Sequence, residues 1–359
     1  MNDGRARTTG GAGDRGRRGR PRRELIVGAA ALLVVVALVI AVVTRDGADE
    51  PSVTATPSGD AEPSDLLVLA VAGAPHALLA VIGTGGGRPA AAIVLPPRTT
   101  IVVPGQGETA VDDVADLPGP SVQVAVSNTL GAWAAHYAVT DLASLTAAID
   151  RSGGLALDLP EAVTLGDVVL GPGEVTLFGD QVGALLRVPG DDAGVRWAQV
   201  FETVLRRGVL APEDLDETTD AEGVIAALAE AADASVELAP VAPVAATALV
   251  LAQPEFDELV RQLYALPEPL RVLVQNGSGE PGVGEEVARR LLPNGFRVVL
   301  SQNAESFDHE ETQIIATDER FSDNAQRVRE LLGTGTVALS QVPSGLADIT
   351  IVVGKDFTA

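Results

Sequence analysis

Nineteen consecutive residues, Leu25–Val43, hold no charged or polar side chain. As a helix rising 1.5 Å per residue they reach about 28 Å, close to the roughly 30 Å hydrocarbon thickness of a bilayer. An isolated segment in lipid satisfies its own backbone polar groups only as a helix. The stretch therefore predicts one transmembrane helix over 25–43, bracketed by Arg22, Arg23 and Glu24 before it and Arg45 and Asp46 after it. Everything that follows is expected to work while tethered to a membrane.

Charge sets the expected orientation. The first 24 residues carry eight arginines against three acids, whereas the rest of the chain carries 17 basic and 46 acidic residues. Lys and Arg resist translocation, so the basic tail is placed in the cytoplasm and the acidic bulk outside. A cleaved signal peptide is the rival reading. Its apolar region normally runs about 7–15 residues and ends at a small-residue site. Here the run is longer and passes into Thr44-Arg45-Asp46, with no such site.

Cysteine is absent, which excludes disulfides, thiol catalysis and Cys-based metal sites. Lys355 is the single lysine, and with the abundant Ala, Val and Gly this points to a GC-rich, actinobacterial-type source. The acidic exterior excludes nucleic acid as a partner, since its recognition needs a basic footprint. The lipid bilayer is the expected partner, touched by the basic tail and crossed by the helix.

The chain divides into a tail (1–24), the membrane helix (25–43), a Pro/Ser/Thr/Asp-rich linker (44–64), a first folded region (65–266) and a second (267–359). In the first, Leu66–Val71, Ala77–Ile82, Ala91–Leu95 and Thr100–Val103 read as strands, and Gly83–Gly87 as a hairpin turn. Leu142–Asp150, Gly194–Arg207, Glu222–Ala232 and Glu255–Leu266 read as helices, and Leu155–Leu159 as another strand. This mixture predicts a layered α/β domain. In the second, strands at 271–275, 296–300, 314–316, 336–340 and 349–353 alternate with helices at 283–292 and 322–332, the pattern of a small α+β domain.

Familiar chemical motifs are missing. The Gly-rich turn at 276–282 precedes a helix but lacks GK[ST], and Glu280, Glu285 and Glu286 crowd that helix start, where they repel phosphate. His309-Glu310-Glu311 is an acidic loop with too few converging ligands for a metal, and His76 and His136 stand apart from any partner set.

At Leu95-Pro96-Pro97-Arg98-Thr99 the chain begins to resemble the LytR-CpsA-Psr family. Further segments carry the resemblance in order: His136–Leu142, Ile149–Leu155 with Asp158-Leu159-Pro160, Leu177–Gln181 with Leu186-Arg187, and Asp191–Gln199. Residues 269–357 resemble the LytR C-terminal domain, through Val272–Gly279, Gly295–Val298 and Val352–Asp356. The resemblance implies an α-β-α layered domain and a membrane-anchored extracytoplasmic enzyme. Such enzymes move a glycopolymer from a polyprenyl-pyrophosphate carrier to a wall acceptor. That chemistry needs several arginines on the diphosphate, carboxylates holding magnesium and an apolar tunnel for the prenyl tail.

Measured against the family, this chain is depleted. The two metal-holding carboxylates fall on His76 and Thr99, so no metal site is expected. Arg98 and Arg187 survive as phosphate-binding candidates, and Arg196 is recovered by a one-residue shift. A second arginine of the family falls on Pro189. Asp191, Asp192 and Gln199 are supporting polar candidates. Two readings stand. One is a catalytically impaired member that binds polyprenyl-phosphate lipid or wall glycan, or acts as a scaffold with envelope proteins, using no cofactor. The other is an active Mg-dependent glycopolymer phosphotransferase, its metal held by Asp65, Asp191 or Asp192.

Overall fold

In a computed structural model of the chain, the residues described are 63–358, apart from 74, 75, 189, 191, 246, 247 and 341–344. The basic tail, the expected membrane helix and the linker up to residue 62 lie outside them. Among the described residues no helix is long and apolar enough to cross a membrane.

The first region opens with an antiparallel meander, β1 (Asp65–Ala72), β2 (Leu78–Thr84) and β3 (Ala91–Leu95). Gly85, Gly86 and Gly87 all take positive φ in the loop between β2 and β3, a conformation that glycine adopts without steric cost. A second hairpin follows, β4 (Thr99–Val103) and β5 (Gly107–Ala110), then a single helical turn α1 (Val111–Val114) and the helix α2 (Gly119–Leu130). Next come β6 (His136–Asp141) and α3 (Leu142–Arg151), which starts where the Asp141 carboxylate accepts the Ser144 N–H at 2.6 Å. The strands β7 (Leu155–Leu159), β8 (Val163–Leu165), β9 (Val168–Leu170) and β10 (Gly173–Leu177) form two small hairpin sheets. After them come α4 (Gly179–Leu186), α5 (Ala193–Arg207), β11 (Glu217–Thr218), α6 (Ala221–Glu230), β12 (Ser235–Leu238), β13 (Val241–Ala245), β14 (Ala248–Leu251) and α7 (Gln253–Tyr264).

The central sheet has six strands in the order β11-β6-β1-β2-β3-β12. Leu66–Val71 of β1 and Leu78–Ile82 of β2 are continuously apolar because both faces of the sheet are covered there. Leu67, Leu69 and Val71 of β1 point into one core with Trp197, Phe201 and Val204 of α5. Leu66, Val68 and Ala70 point into the other with Phe256 and Tyr264 of α7. Three layers result, helix–sheet–helix, as the resemblance implies.

The second region is β15 (Leu270–Asn276), α8 (Val283–Leu291), β16 (Phe296–Asn303), β17 (Gln313–Ala316), α9 (Ser322–Leu332), β18 (Thr336–Leu339) and β19 (Ile349–Val353). Its five strands lie in the order β16-β15-β19-β17-β18. The β15–β16, β15–β19 and β17–β18 pairs are parallel and only β17–β19 is antiparallel. It is thus an α/β unit rather than the α+β one expected. Helices α8 and α9 are crossovers between strands, and a crossover returns the chain parallel to the strand it left.

The two regions share more than a linker. Val124 of α2 sits in the core of the second region, whereas Val122 and Val126 sit in the first. The Asn128 side chain, 2% exposed, accepts the Val298 N–H at 2.7 Å and donates to the Val298 carbonyl at 2.9 Å and the Val102 carbonyl at 3.2 Å. Val298 lies at a register shift in β16, the edge strand. One buried amide therefore satisfies the outward backbone groups that an edge strand leaves bare.

Candidate functional site

His76, Arg98 and Thr99 gather around the turn between β1 and β2, with the helix that carries Arg196 and Gln199 packed over them. Pro96-Pro97-Arg98-Thr99 is a tight turn closed by the Thr99 N–H on the Pro96 carbonyl at 3.3 Å. Arg98, at its third position, has φ 64, a value that type II turns require there and that usually selects glycine. The conformation is held by Asp112 of α1. One carboxylate oxygen accepts the Arg98 N–H at 3.1 Å and the other accepts the Ala77 N–H at 2.8 Å. A single side chain thus ties the β1–β2 turn to the arginine turn. Burial pushes the Asp112 carboxyl above its ordinary range, against the two N–H donors and the nearby His76, which pull it down.

Helix α5 closes the same cluster from above the sheet. Its Trp197 indole N–H donates to the His76 carbonyl at 2.9 Å. A Cβ on Gly194 would lie 3.1 Å from Pro96, so the start of α5 rests on the arginine turn. Arg196 is buried, with 8% exposure. Its guanidinium pairs with Asp192 and donates to the Val188 carbonyl. Gln199 donates to the Asp158 carbonyl on β7. These three candidates are committed to the fold: Arg196 and Asp192 neutralise each other, and Gln199 fastens a strand.

The remaining candidates separate. Arg187 is exposed at the C-terminal cap of α4, one residue before the Val188 carbonyl that Arg196 holds. Arg98 is half-buried in its turn. Asp191 and Pro189 lie outside the described residues. Asp65 begins β1, while His76 follows its far end. Eight strand residues span about 23 Å, so Asp65 cannot supply a carboxylate to this cluster. His309 sits far along the chain in the second region, where its N–H donates to Gly277 and Glu310 pairs with Lys355 at 2.7 Å.

Three buried polar atoms in this cluster have no partner among the described residues: His76 Nδ1, Thr99 Oγ1 and Arg196 Nε. A magnesium ion demands near-octahedral oxygen ligands, with carboxylates prominent. The family's metal positions here offer an imidazole and a hydroxyl. The Asp112 carboxylate beside them receives two backbone N–H groups, and Asp192 is paired with Arg196. No trio of His, Cys, Asp or Glu among the described residues is arranged to hold a metal. Among the described residues the donor set at His76 and Thr99 does not fit Mg²⁺. Sequence reasoning missed Asp112 because Asp112-Asp113 belongs to no motif; its role comes from the two turns that meet over it.

The contact between the central sheet and α5 is closely packed. Between β1 and β2 on one side and α5 on the other, the apolar cavity bounded by Leu69, Val71, Leu78, Trp197, Phe201 and Val204 measures about 10 Å³. That is at the lower limit for one water, against several hundred cubic ångströms for ordinary ligand pockets.

Comparison with known proteins follows the two regions. Residues 269–357 match the family model described as LytR cell envelope-related transcriptional attenuator, so the chain carries a LytR C-terminal domain. The LytR-Csp2A-Psr enzyme from Actinomyces oris is 21% identical, with TM-score 0.44 over 58% of this chain and 92% of its own. TagV of Bacillus subtilis is 14% identical, with TM-score 0.47 over 58% of this chain and 100% of its own. TagT with bound octaprenyl pyrophosphate lipid is 14% identical, with TM-score 0.47 over 59% of this chain and 95% of its own. No curated protein matches the chain.

Proposed function

We propose that this chain is a non-catalytic envelope protein of the LytR-CpsA-Psr type. In this reading Leu25–Val43 anchors it in the cell membrane, the folded regions lie outside, and the protein serves as a scaffold in wall assembly. The observation that carries the proposal is the close packing beneath α5, where the cavity measures about 10 Å³ and offers a prenyl chain no tunnel. The committed side chains support it. Arg196 is neutralised by Asp192, and His76 and Thr99 occupy the positions at which the family's metal-holding carboxylates belong.

An active phosphotransferase remains the competing reading, and octaprenyl pyrophosphate, the ligand named for TagT, is the compound that separates the two. The full chain in lipid nanodiscs, given octaprenyl pyrophosphate and Mg²⁺, is expected to release no phosphate and to show no thermal shift. Mg²⁺-dependent turnover that Arg98→Ala abolishes would establish the transferase. A thermal shift without turnover would mean carrier binding and overturn the scaffold reading.

A further inference from the structure

A polar cavity of about 170 Å³ opens between the β4–β5 turn and the C-terminal domain. Gly105 and Gln106 form one wall; the ends of β15 and β16 and the start of α8 form the other. The place has a structural logic, because ligands of open α/β sheets settle outside the carboxyl ends of parallel strands. Its walls are fixed by backbone contact. A Cβ on Gly284 would lie 2.7 Å from the Gly105 Cα, and the Gly105 N–H donates to Ser301 Oγ at 2.9 Å.

The lining is neutral in a chain of formal net charge −24. Gln106, Gln302 and Asn303 are exposed, and their side-chain amides make no hydrogen bond among the described residues. Asn276, beside them, is already engaged within its own loop, donating to the Glu280 carbonyl at 2.8 Å. No side chain caps α8, and the acids of its first turn are paired along the helix, Glu285 with Arg289 and Glu286 with Arg290.

Each feature narrows the ligand. The uncapped start of α8 offers backbone N–H groups to an anion, but no lining residue is cationic and Glu280, Glu285 and Glu286 crowd that helix start. A lipid or aromatic ligand needs an apolar wall, and the lining is mainly polar. A primary amide places a donor and an acceptor side by side, so it pairs with another amide or with neighbouring hydroxyls. The volume is more than ten times the roughly 10–15 Å³ that one water requires. We propose that this cavity binds one residue of a neutral acetamido sugar chain, its acetamide and hydroxyls read by Gln106, Gln302 and Asn303. The site is separate from the Arg98 cluster, and the proposal stands whether or not that cluster is catalytic.

The test uses the full chain in nanodiscs, titrated with the N-acetylglucosamine trimer by calorimetry, with inorganic phosphate as a parallel titrant. The trimer is expected to bind and phosphate is not. Gln302→Ala with Asn303→Ala removes two exposed amides and is expected to weaken the trimer by about tenfold or more, with the unfolding temperature unchanged. Three results would overturn the proposal: no binding of the trimer at millimolar concentration, binding indifferent to the double substitution, or phosphate binding lost with those amides.

Discussion

Asn128→Ala tests whether the two regions are one cooperative body. Asn128 joins them through the Val298 N–H, the Val298 carbonyl and the Val102 carbonyl. The substitution leaves a buried donor and acceptor on Val298 without partners, each costing about 1–3 kcal/mol. The 3.2 Å contact to Val102 is the longest and adds least. A loss of about 3 kcal/mol is expected, which for a cooperative unit of this size lowers the unfolding temperature by roughly 5 °C. Calorimetry of the full chain in detergent micelles reads the shift, and hydrogen exchange at Val298 reads the cause, with protection expected to fall about a hundredfold. Asn128→Asp supplies the control. Its carboxylate still accepts the Val298 N–H but faces two carbonyls, so it is expected to be at least as damaging at neutral pH and milder in acid. An Asn128→Ala variant that unfolds within about 2 °C of the wild type, with Val298 still protected, refutes the reasoning.

Asp112→Ala is expected to cost about 2–4 kcal/mol in chemical denaturation, because it orphans the Ala77 and Arg98 N–H groups and releases Arg98 from its left-handed φ. The folded-state pKa of Asp112 is raised, so its contribution to stability is largest below the ordinary carboxylate range and falls as pH rises through the folded value. Asp356 has the opposite sign. Burial pushes it up, but hydrogen bonds from Thr334, Thr312 and the backbone outweigh that and hold it below the ordinary range. Its contribution is therefore present above that range and lost as pH falls through the folded value, and the acid limb of a stability–pH curve is expected to flatten in Asp356→Asn. Gly284→Ala places a methyl against the Gly105 backbone and is expected to destabilise the full chain by about 1–3 kcal/mol in a urea melt.

The strands that are continuous apolar runs, β1, β2 and β3, were legible because a sheet covered on both faces needs no polar position. In the C-terminal domain the helices α8 and α9 and all five strands lie within a few residues of the segments expected, since each alternates cleanly with turn residues. Helix α2 was not legible. Its Val122, Val124 and Val126 recur with the period of a strand, and it is helical because it is buried almost all round, between the sheet and the second region. The β8–β9 hairpin was missed because its strands are only three residues long, although Val-Thr-Leu and Val-Val-Leu flank a Gly166-Asp167 turn. At the site, Arg98, Arg196, Asp192 and Gln199 were singled out only through the family resemblance. What they do depends on partners distant in sequence: Arg98 is positioned by Asp112, and Gln199 reaches Asp158. The filling of the space under α5 is a matter of packed volume, which residue type alone does not fix.

Helix α2 belongs to two cores at once, and this shapes how the protein is made. The ribosome releases the first region while Val124 and Asn128 still lack the groups that cover them, because the strand holding Val298 is produced 170 positions later. A nascent chain halted before that strand therefore displays a greasy stripe to solvent. Premature stop codons in the last quarter of the reading frame are for that reason expected to yield sticky, protease-sensitive products instead of a shorter working version.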